Sequence, residues 1–249
     1  MTAVTWPYVD RAYDIGLALG LNVALGGVAY GVGMVKKSGL FAGWMLAAVV
    51  CAGLGTAGFV VMASFVLLGS AVSWMGYQRK AALGVAQAED GARGARHAAA
   101  KCIVGVLLAV ASLVWPSEAL RLAFVASFAT ALADTVGTEL GQLYGKHPVL
   151  VTSFRLVSVG TPGAVSLEGT ACGILASALV GALGWLLGMF TAAGLAFVVV
   201  GAFVGVLIES LVGAVPWLNR LFGHFGRNFL NTAVGALCAG LGRWMFSGS

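Results

Sequence analysis

The chain has 249 residues, 60% hydrophobic and 9% charged, with a mean hydropathy of +0.97 and a formal net charge of +5. Soluble domains carry about 25% charged residues, so one aqueous core cannot hide this much apolar surface, and lipid is the expected solvent. The long apolar runs lack strand alternation, which argues for helices rather than a barrel. A net charge of this size is not by itself a signal for nucleic acid, and none is expected as a partner.

The chain opens on "MTAVTWPYVDRAYD", which carries two acids and no basic region ahead of the first apolar run. It does not read as a cleaved leader. Apolar segments then fall near 14–33, 40–55, 57–75, 98–115, 119–136, 168–187, 191–211 and 229–246. Several approach the roughly 20 residues that cross a bilayer. The second and third are parted only by "GTA", so the expectation is about eight transmembrane helices, with seven as the alternative. The fold class is all-α: one polytopic membrane bundle spanning residues 1–249, with no domain boundary and no internal repeat.

The loops 34–39, 76–101, 137–167 and 212–228 hold Lys36, Lys37, Arg79, Lys80, Arg93, Arg96, Lys101, Lys146, Arg155, Arg220 and Arg227. Only Arg11, Arg121 and Arg243 remain for the other side. With eight crossings the basic loops share one face, and the positive-inside rule makes that face cytoplasmic. A cell inner membrane location, with the site facing the cytoplasm, is therefore expected.

Four acids, Asp134, Glu139, Glu168 and Glu209, lie at the expected cytoplasmic helix ends. An acid inside hydrocarbon costs roughly 2.5–3.5 kcal/mol on insertion scales, so it tends to have a partner or a purpose. Asp134, Thr138, Gly141 and Gly145 share a helix face. Glu139 is five residues from Asp134 and so about 140° away around an unbroken helix. Both acids can serve one site only if the helix breaks near Gly137 or if Glu139 meets a neighbouring helix. Carboxylates without His or Cys suit magnesium, which takes one or two carboxylates plus substrate phosphates.

Next comes "VSVGTPGAVSLEGT". Gly160, Pro162 and Gly163 form a turn, and Ser166 is placed to cap a helix. A turn that opens into a helix N-terminus offers amides to a phosphate, and Lys146 and Arg155 lie just upstream. Farther on, "GVLIESLVGAVPWLNRLFGHFGRNFLNT" brings Glu209 and Ser210 to the end of one helix and Asn228 and Asn231 to the start of the next. Such asparagines often bond between helices. His97, His147 and His224 have no partner spacing. Cys51, Cys102, Cys172 and Cys238 lie in or beside different apolar segments and read as small packing residues.

Taken in order, these blocks resemble the integral-membrane family of transmembrane protein 19 and the phytyl-phosphate kinase of vitamin E (tocopherol) biosynthesis. The family pattern Asp-Thr-x-x-Ser-Glu-x-Gly is matched by Asp134-Thr135-Val136-Gly137-Thr138-Glu139-Leu140-Gly141. Its Thr-x-Lys-x-Val stretch is matched by Ser153-Phe154-Arg155-Leu156-Val157. Its Gly-Thr-Asn-Gly-Gly-Val-Ser-x-x-Gly is matched by Gly160-Thr161-Pro162-Gly163-Ala164-Val165-Ser166-Leu167-Glu168-Gly169. "ESLVGA" resembles an Asp-Ser-Leu-Leu-Gly-Ala block, and "NFLNT" an Asn-rich helix start. The resemblance covers most of the chain from about residue 25. Pro162, Ala164, Arg155 and Glu209 depart from the pattern. More distantly the family resembles dolichol kinases and phosphatidate cytidylyltransferases.

The resemblance implies a CTP-dependent kinase that converts an isoprenyl (phytyl- or geranylgeranyl-type) monophosphate to the diphosphate, with Mg²⁺ as cofactor. Asp134, Glu139, Arg155 and Lys146 would be catalytic, and Asp134, Glu139 and Glu209 would hold the metal. Gly160, Thr161, Gly163, Ser166, Gly169 and Thr170 would bind the nucleotide. Lys80, Arg93, Asn228 and Asn231 would bind the lipid substrate. Partners are CTP, the isoprenyl monophosphate and membrane lipids, with oligomerisation left open. The alternatives are a cytidylyltransferase on a lipid phosphate, and a lipid transporter or flippase, which would instead place its acids near mid-membrane.

Overall fold

A computed structural model describes residues 11–33, 36–86 and 95–246, with side chains from residue 15 in the first helix and from residue 100 in the fourth. Eight helices run along the described residues: α1 (Arg11–Gly31), α2 (Lys37–Trp74), α3 (Tyr77–Ala82), α4 (Ala95–Val114), α5 (Glu118–Tyr144), α6 (Leu167–Leu186), α7 (Gly194–Ala214) and α8 (Pro216–Phe246). Between α5 and α6 sits a small antiparallel pair, β1 (Val149–Leu150) with β2 (Ala164–Val165). The all-helical membrane class is borne out. By length and composition α2, α5, α6 and α7 can each cross a membrane, and shorter apolar stretches run over Ile15–Gly31 and Ala100–Val114.

The two segments expected on either side of residue 56 form one continuous element, α2, but Gly55 leaves helical geometry inside it (φ 62°, ψ −158°). That φ is open to glycine and strained for other residues. A Cβ added at Gly58 would fall 3.1 Å from a Val50 methyl. Eight residues along a straight helix would span about 12 Å, so the chain folds back at Gly55. The two expected segments are therefore the arms of a tight helical hairpin. Gly223 (φ 56°, ψ −171°) breaks helical geometry inside α8 in the same way.

At the centre stands α5, which touches α2, α4, α6, α7 and α8. An almost unbroken run from Leu122 to Ala133 is buried on all sides. Such an all-round apolar helix belongs inside a bundle. Small residues let its neighbours close on it. A Cβ on Gly169 of α6 would lie 2.5 Å from the Gly137 carbonyl oxygen, and one on Gly173 would lie 2.9 Å from that of Ala133. On the other flank, Gly205 of α7 meets the Asn231 carbonyl oxygen of α8 at 2.4 Å in the same sense.

The two ends of the bundle differ. At one, Glu118 accepts from Thr191 N–H (3.1 Å) and from Arg243 (3.2 Å), tying the start of α5, the α6–α7 turn and the end of α8 together. The other end gathers the end of α5, the start of α6 and the end of α7. It is here that the buried cations Lys80 and Lys101 lie. Overpacking a tight helix contact costs about 1–3 kcal/mol, so Gly205→Leu should lower the unfolding temperature in detergent. Gly43→Ala, where an added Cβ meets nothing within 4 Å, should leave it nearly unchanged.

Candidate functional site

A cavity of about 540 Å³ opens at the charged end of the bundle. Its back wall is α5 from Ala133 to Gln142, its sides are α6 and α7, and its roof is the loop from Pro148 to Ser166. Lys101, His224 and Arg227 reach it from α4 and α8. The size is typical of a small-molecule site.

Asp134 and Glu209 form its acidic centre. Both line it, close enough for the charge of one to act on the other. Two carboxylates so placed favour a shared proton or cation over a double negative charge. Each also has a polar anchor. Lys101 pairs with Asp134 and donates to Thr135 Oγ1 at 2.9 Å. Asn231 donates to Glu209. Arg227 lies against Gly213 at the end of α7, reaches Asn219 across the α8 bend, and keeps its Nε buried without a partner. His224 sits in the polar part of α8, ahead of its apolar end. Desolvation first, then the charges of Lys101 and Arg227, hold its pKa below the usual imidazole value against the pull of Asp134. It is a neutral ring at pH 7.

Glu139 took the second of the two routes that its position allowed. Helix α5 runs unbroken through Gly137 to Tyr144, so Glu139 points away from Asp134. It is 1% exposed and pairs with Lys80, which also donates to the Ser73 carbonyl at 2.7 Å. Neither Glu139 nor Lys80 lines the cavity. Among the expected metal-holding acids, then, the structure brings Asp134 and Glu209 together and sets Glu139 apart.

The loop residues all reach the cavity: Gly160, Thr161, Gly163, Ser166, Gly169 and Thr170 line it. Several of their donors are already used. Ser166 caps α6 by accepting from Gly169 N–H (3.1 Å), and Thr161 Oγ1 donates to the Ser158 carbonyl (2.7 Å). Thr170 N–H bonds the Ser166 carbonyl. The first helical amides, those of Leu167 and Glu168, are the ones that a helix leaves without an internal partner. Gly163 is a glycine for packing reasons as well as for its φ of 78°: a Cβ there would fall 2.5 Å from Ala214 Cα at the end of α7. A side chain at this position is thus excluded by the bundle itself.

Lys146 and Arg155 are exposed and lie outside the cavity lining, on either limb of the loop. Asn228 and Asn231 are buried behind it; Asn228 donates to the His224 carbonyl at 3.0 Å. Arg93 lies outside the described residues, as do Glu89 and Asp90. Among the described residues no group of three or more His, Cys, Asp or Glu side chains clusters as a metal site. Two facing carboxylates are nonetheless a fitting donor set for magnesium when phosphate oxygens complete it. None of the four cysteines forms a disulfide.

Lys101, His224 and Arg227 were not singled out from the sequence. For Lys101 a signal existed. It sits in "AAAKCIVGV", inside the apolar run, which separates it from an ordinary loop charge.

The family described as integral membrane protein DUF92 matches residues 20–218. The chain belongs to that family. This bears out the family read from the motifs, and the matched region holds the whole loop and both acids. It ends before His224, Arg227 and Asn231. Among similar proteins, an uncharacterized membrane protein of Synechocystis sp. is 36% identical over 65% of this chain and 64% of its own length. Protein VTE6, chloroplastic, of Arabidopsis thaliana is 37% identical over 63% of this chain and 49% of its own length. An uncharacterized membrane protein of Methanocaldococcus jannaschii is 33% identical over 51% of this chain and 52% of its own. The chain thus spans about half to two thirds of the curated relatives it matches. No solved structure matches it.

Removing one member of a buried ion pair typically costs 3–5 kcal/mol, whereas replacing both by apolar residues is often neutral. Lys80→Met alone should therefore destabilise the protein clearly. Lys80→Met combined with Glu139→Leu should recover most of that loss, read by thermal unfolding in detergent. Recovery would place Glu139 among the structural groups; continued loss would give it another task.

Proposed function

We propose that the protein is a CTP-dependent kinase of isoprenyl monophosphates, working at the cytoplasmic face of a cell inner membrane. The observation that carries this reading is the convergence of Asp134 and Glu209 on one cavity that is also lined by Lys101, Arg227 and the Gly160–Gly163 turn. Membership of a membrane family, and likeness to Protein VTE6, support it.

The chemistry asks little of the protein in the way of proton transfer. A phosphate monoester has a second pKa near ~6, so at neutral pH it is already a nucleophile. Its oxygen would attack the γ-phosphorus of CTP. One P–O bond forms, the bond to the β-phosphate oxygen breaks, and the electron pair leaves with CDP. What the site must provide is in-line placement and charge neutralisation. Asp134 and Glu209 would hold Mg²⁺, which when bound supplies positive charge across the phosphate oxygens. Lys101 holds Asp134 in place and Asn231 holds Glu209. Arg227 presents a guanidinium to phosphate, the group best suited to grip it by two bonds. The Gly160–Gly163 turn and the first amides of α6 offer N–H groups to the nucleotide. Glu139 and Lys80 brace the end of α5, and Lys146 and Arg155 stand at the rim, where they would meet nucleotide or headgroup on approach.

Asp134→Asn and Glu209→Gln should each reduce Mg²⁺-dependent turnover at least a hundredfold in protein that still folds, Asp134→Asn with some loss of stability because it leaves Lys101 without its carboxylate. The assay is purified protein with labelled CTP, Mg²⁺ and a panel of phytyl, geranylgeranyl and farnesyl monophosphates. Diphosphate lipid with CDP is the expected outcome. CDP-lipid with pyrophosphate would make the protein a cytidylyltransferase, and lipid movement without either product would make it a transporter.

Orientation has its own test. The end with Lys80, Lys101 and Arg227 is the basic one, and basic ends face the cytoplasm. A cysteine at Val149 should react with a membrane-impermeant maleimide in inverted vesicles and not in intact cells, and one at Thr191 should do the reverse.

A further inference from the structure

The cavity has two unlike halves. Its upper half holds the charges already described. Its lower half runs down between α6 and α7, past Gly173, Ile174 and Ser177 on one side and Leu207, Val206 and Phe203 on the other. From Glu209 to Phe203 is six residues, about 9 Å of helix. The lower half therefore reaches well into the apolar span, and apart from Ser177 its side walls are apolar.

The two helices that bound it are not parallel neighbours along their length. Near their other ends they touch closely: a Cβ at Gly181 would sit 2.7 Å from Leu195 Cδ1 and 3.2 Å from Val198 Cγ1. Toward Glu209 the cavity separates them. The result is a V-shaped cleft with its apex at Gly181 and Val198 and its wide mouth at the acids. The outer edges of the cleft carry Ile174 and Phe203, 38% and 41% exposed. On an apolar helix of a membrane protein, that exposure is toward lipid.

We infer that this α6–α7 cleft is the binding site for the isoprenoid tail, and that the tail passes sideways between Ile174 and Phe203 into the bilayer. The inference rests on the lipid-phosphate substrate proposed above and names the part of the site that takes its chain. A single amphiphile fits the two halves: an anionic head at Lys101 and Arg227, and a hydrocarbon chain in the apolar lower half. The closed apex excludes a route deeper along the helices, so the chain leaves through the side. A lateral exit does not measure length. The site should then discriminate the units of the chain nearest the phosphate and tolerate chains of different total length.

The test uses the full chain in lipid nanodiscs with a geranylgeranyl monophosphate analogue carrying a diazirine near the middle of its tail, and the matching alcohol as control. After irradiation, adducts are mapped by mass spectrometry. Phosphate-dependent adducts on residues 174–178 of α6 and 203–207 of α7 are expected. Phosphate-dependent adducts on other helices would overturn the cleft and leave the kinase reading standing. Equal labelling by the alcohol would also overturn it, and the product assay then decides the kinase reading separately. A second arm uses Ser177→Trp, which fills the lower half. It should raise KM for geranylgeranyl monophosphate at least tenfold with CTP affinity unchanged. An unchanged lipid KM in a folded Ser177→Trp protein would equally remove the tail from this cleft.

Discussion

Carboxylates on the most enclosed helix of a lipid-facing bundle must be answered, and the way α5 answers its two acids sets the layout of this end of the molecule. Left unpaired in hydrocarbon, each would cost roughly 2.5–3.5 kcal/mol on insertion scales. Glu139 is answered by Lys80 in a closed pair, with side-chain exposures of 2% and 1%. Asp134 is answered by Lys101 in a more open one, at 15% and 7%. The first pair is sealed among α2, α3 and α5. The second borders a cavity. One helix thus carries a bracing ion pair and a chemically available one about 140° apart, and the bracing pair fixes the rotation of α5 that turns Asp134 toward Glu209.

Glycine decides where space is left. In lipid, apolar helices gain little by merely avoiding solvent, so close backbone approach and packing hold them together. The α5–α6 contact is built on Gly137, Gly141, Gly169 and Gly173, and the α7–α8 contact on Gly201, Gly205 and Gly235. Those contacts draw α6 toward α5 and α7 toward α8. Helices α6 and α7 meet at Gly181, and beyond it each leans toward its other partner. The opening between them follows from two tight contacts elsewhere.

Much of this was legible in the sequence, for reasons that can be named. Composition forced a membrane bundle. The Gly-Thr-Pro-Gly turn and the Ser166 cap were readable because turn and cap chemistry is local. The arithmetic of a 3.6-residue helix showed that Asp134 and Glu139 could not share a site on an unbroken helix, and it left the break or the neighbour as the two routes; only the fold chooses between them. The partners were not legible. Lys80 is 59 residues from Glu139, and Lys101 is 33 from Asp134. No local pattern links such pairs, and a count of basic residues by loop does not show that Lys80 and Lys101 are buried. The asparagines of α8 read by themselves as interhelical bonding residues, and the family resemblance implied contact with the substrate. In the fold they stand one layer back, and Asn231 orients Glu209.

Charge balance carries the last step. The ionic side chains lining the cavity are Asp134, Glu209, Lys101 and Arg227, with His224 held neutral at pH 7. With all four ionised their charges cancel, and a proton held between the two acids would leave a surplus of only one. Such a site is poorly matched by itself to the proposed nucleotide triphosphate and lipid monophosphate, whose like charges repel strongly where water is scarce. Lys101 cannot serve both Asp134 and the phosphates at full strength. On the proposed reading the missing positive charge has to arrive with the substrates, and two facing carboxylates are the feature that would draw a divalent cation to the point where the two phosphate groups meet. The acids then have a use that a purely structural bundle would not give them. In a bundle without a ligand, two carboxylates set against each other beside a cavity are a standing cost; with a cation and two phosphates between α5, α7 and the loop, that cost becomes the attraction that assembles the reactants.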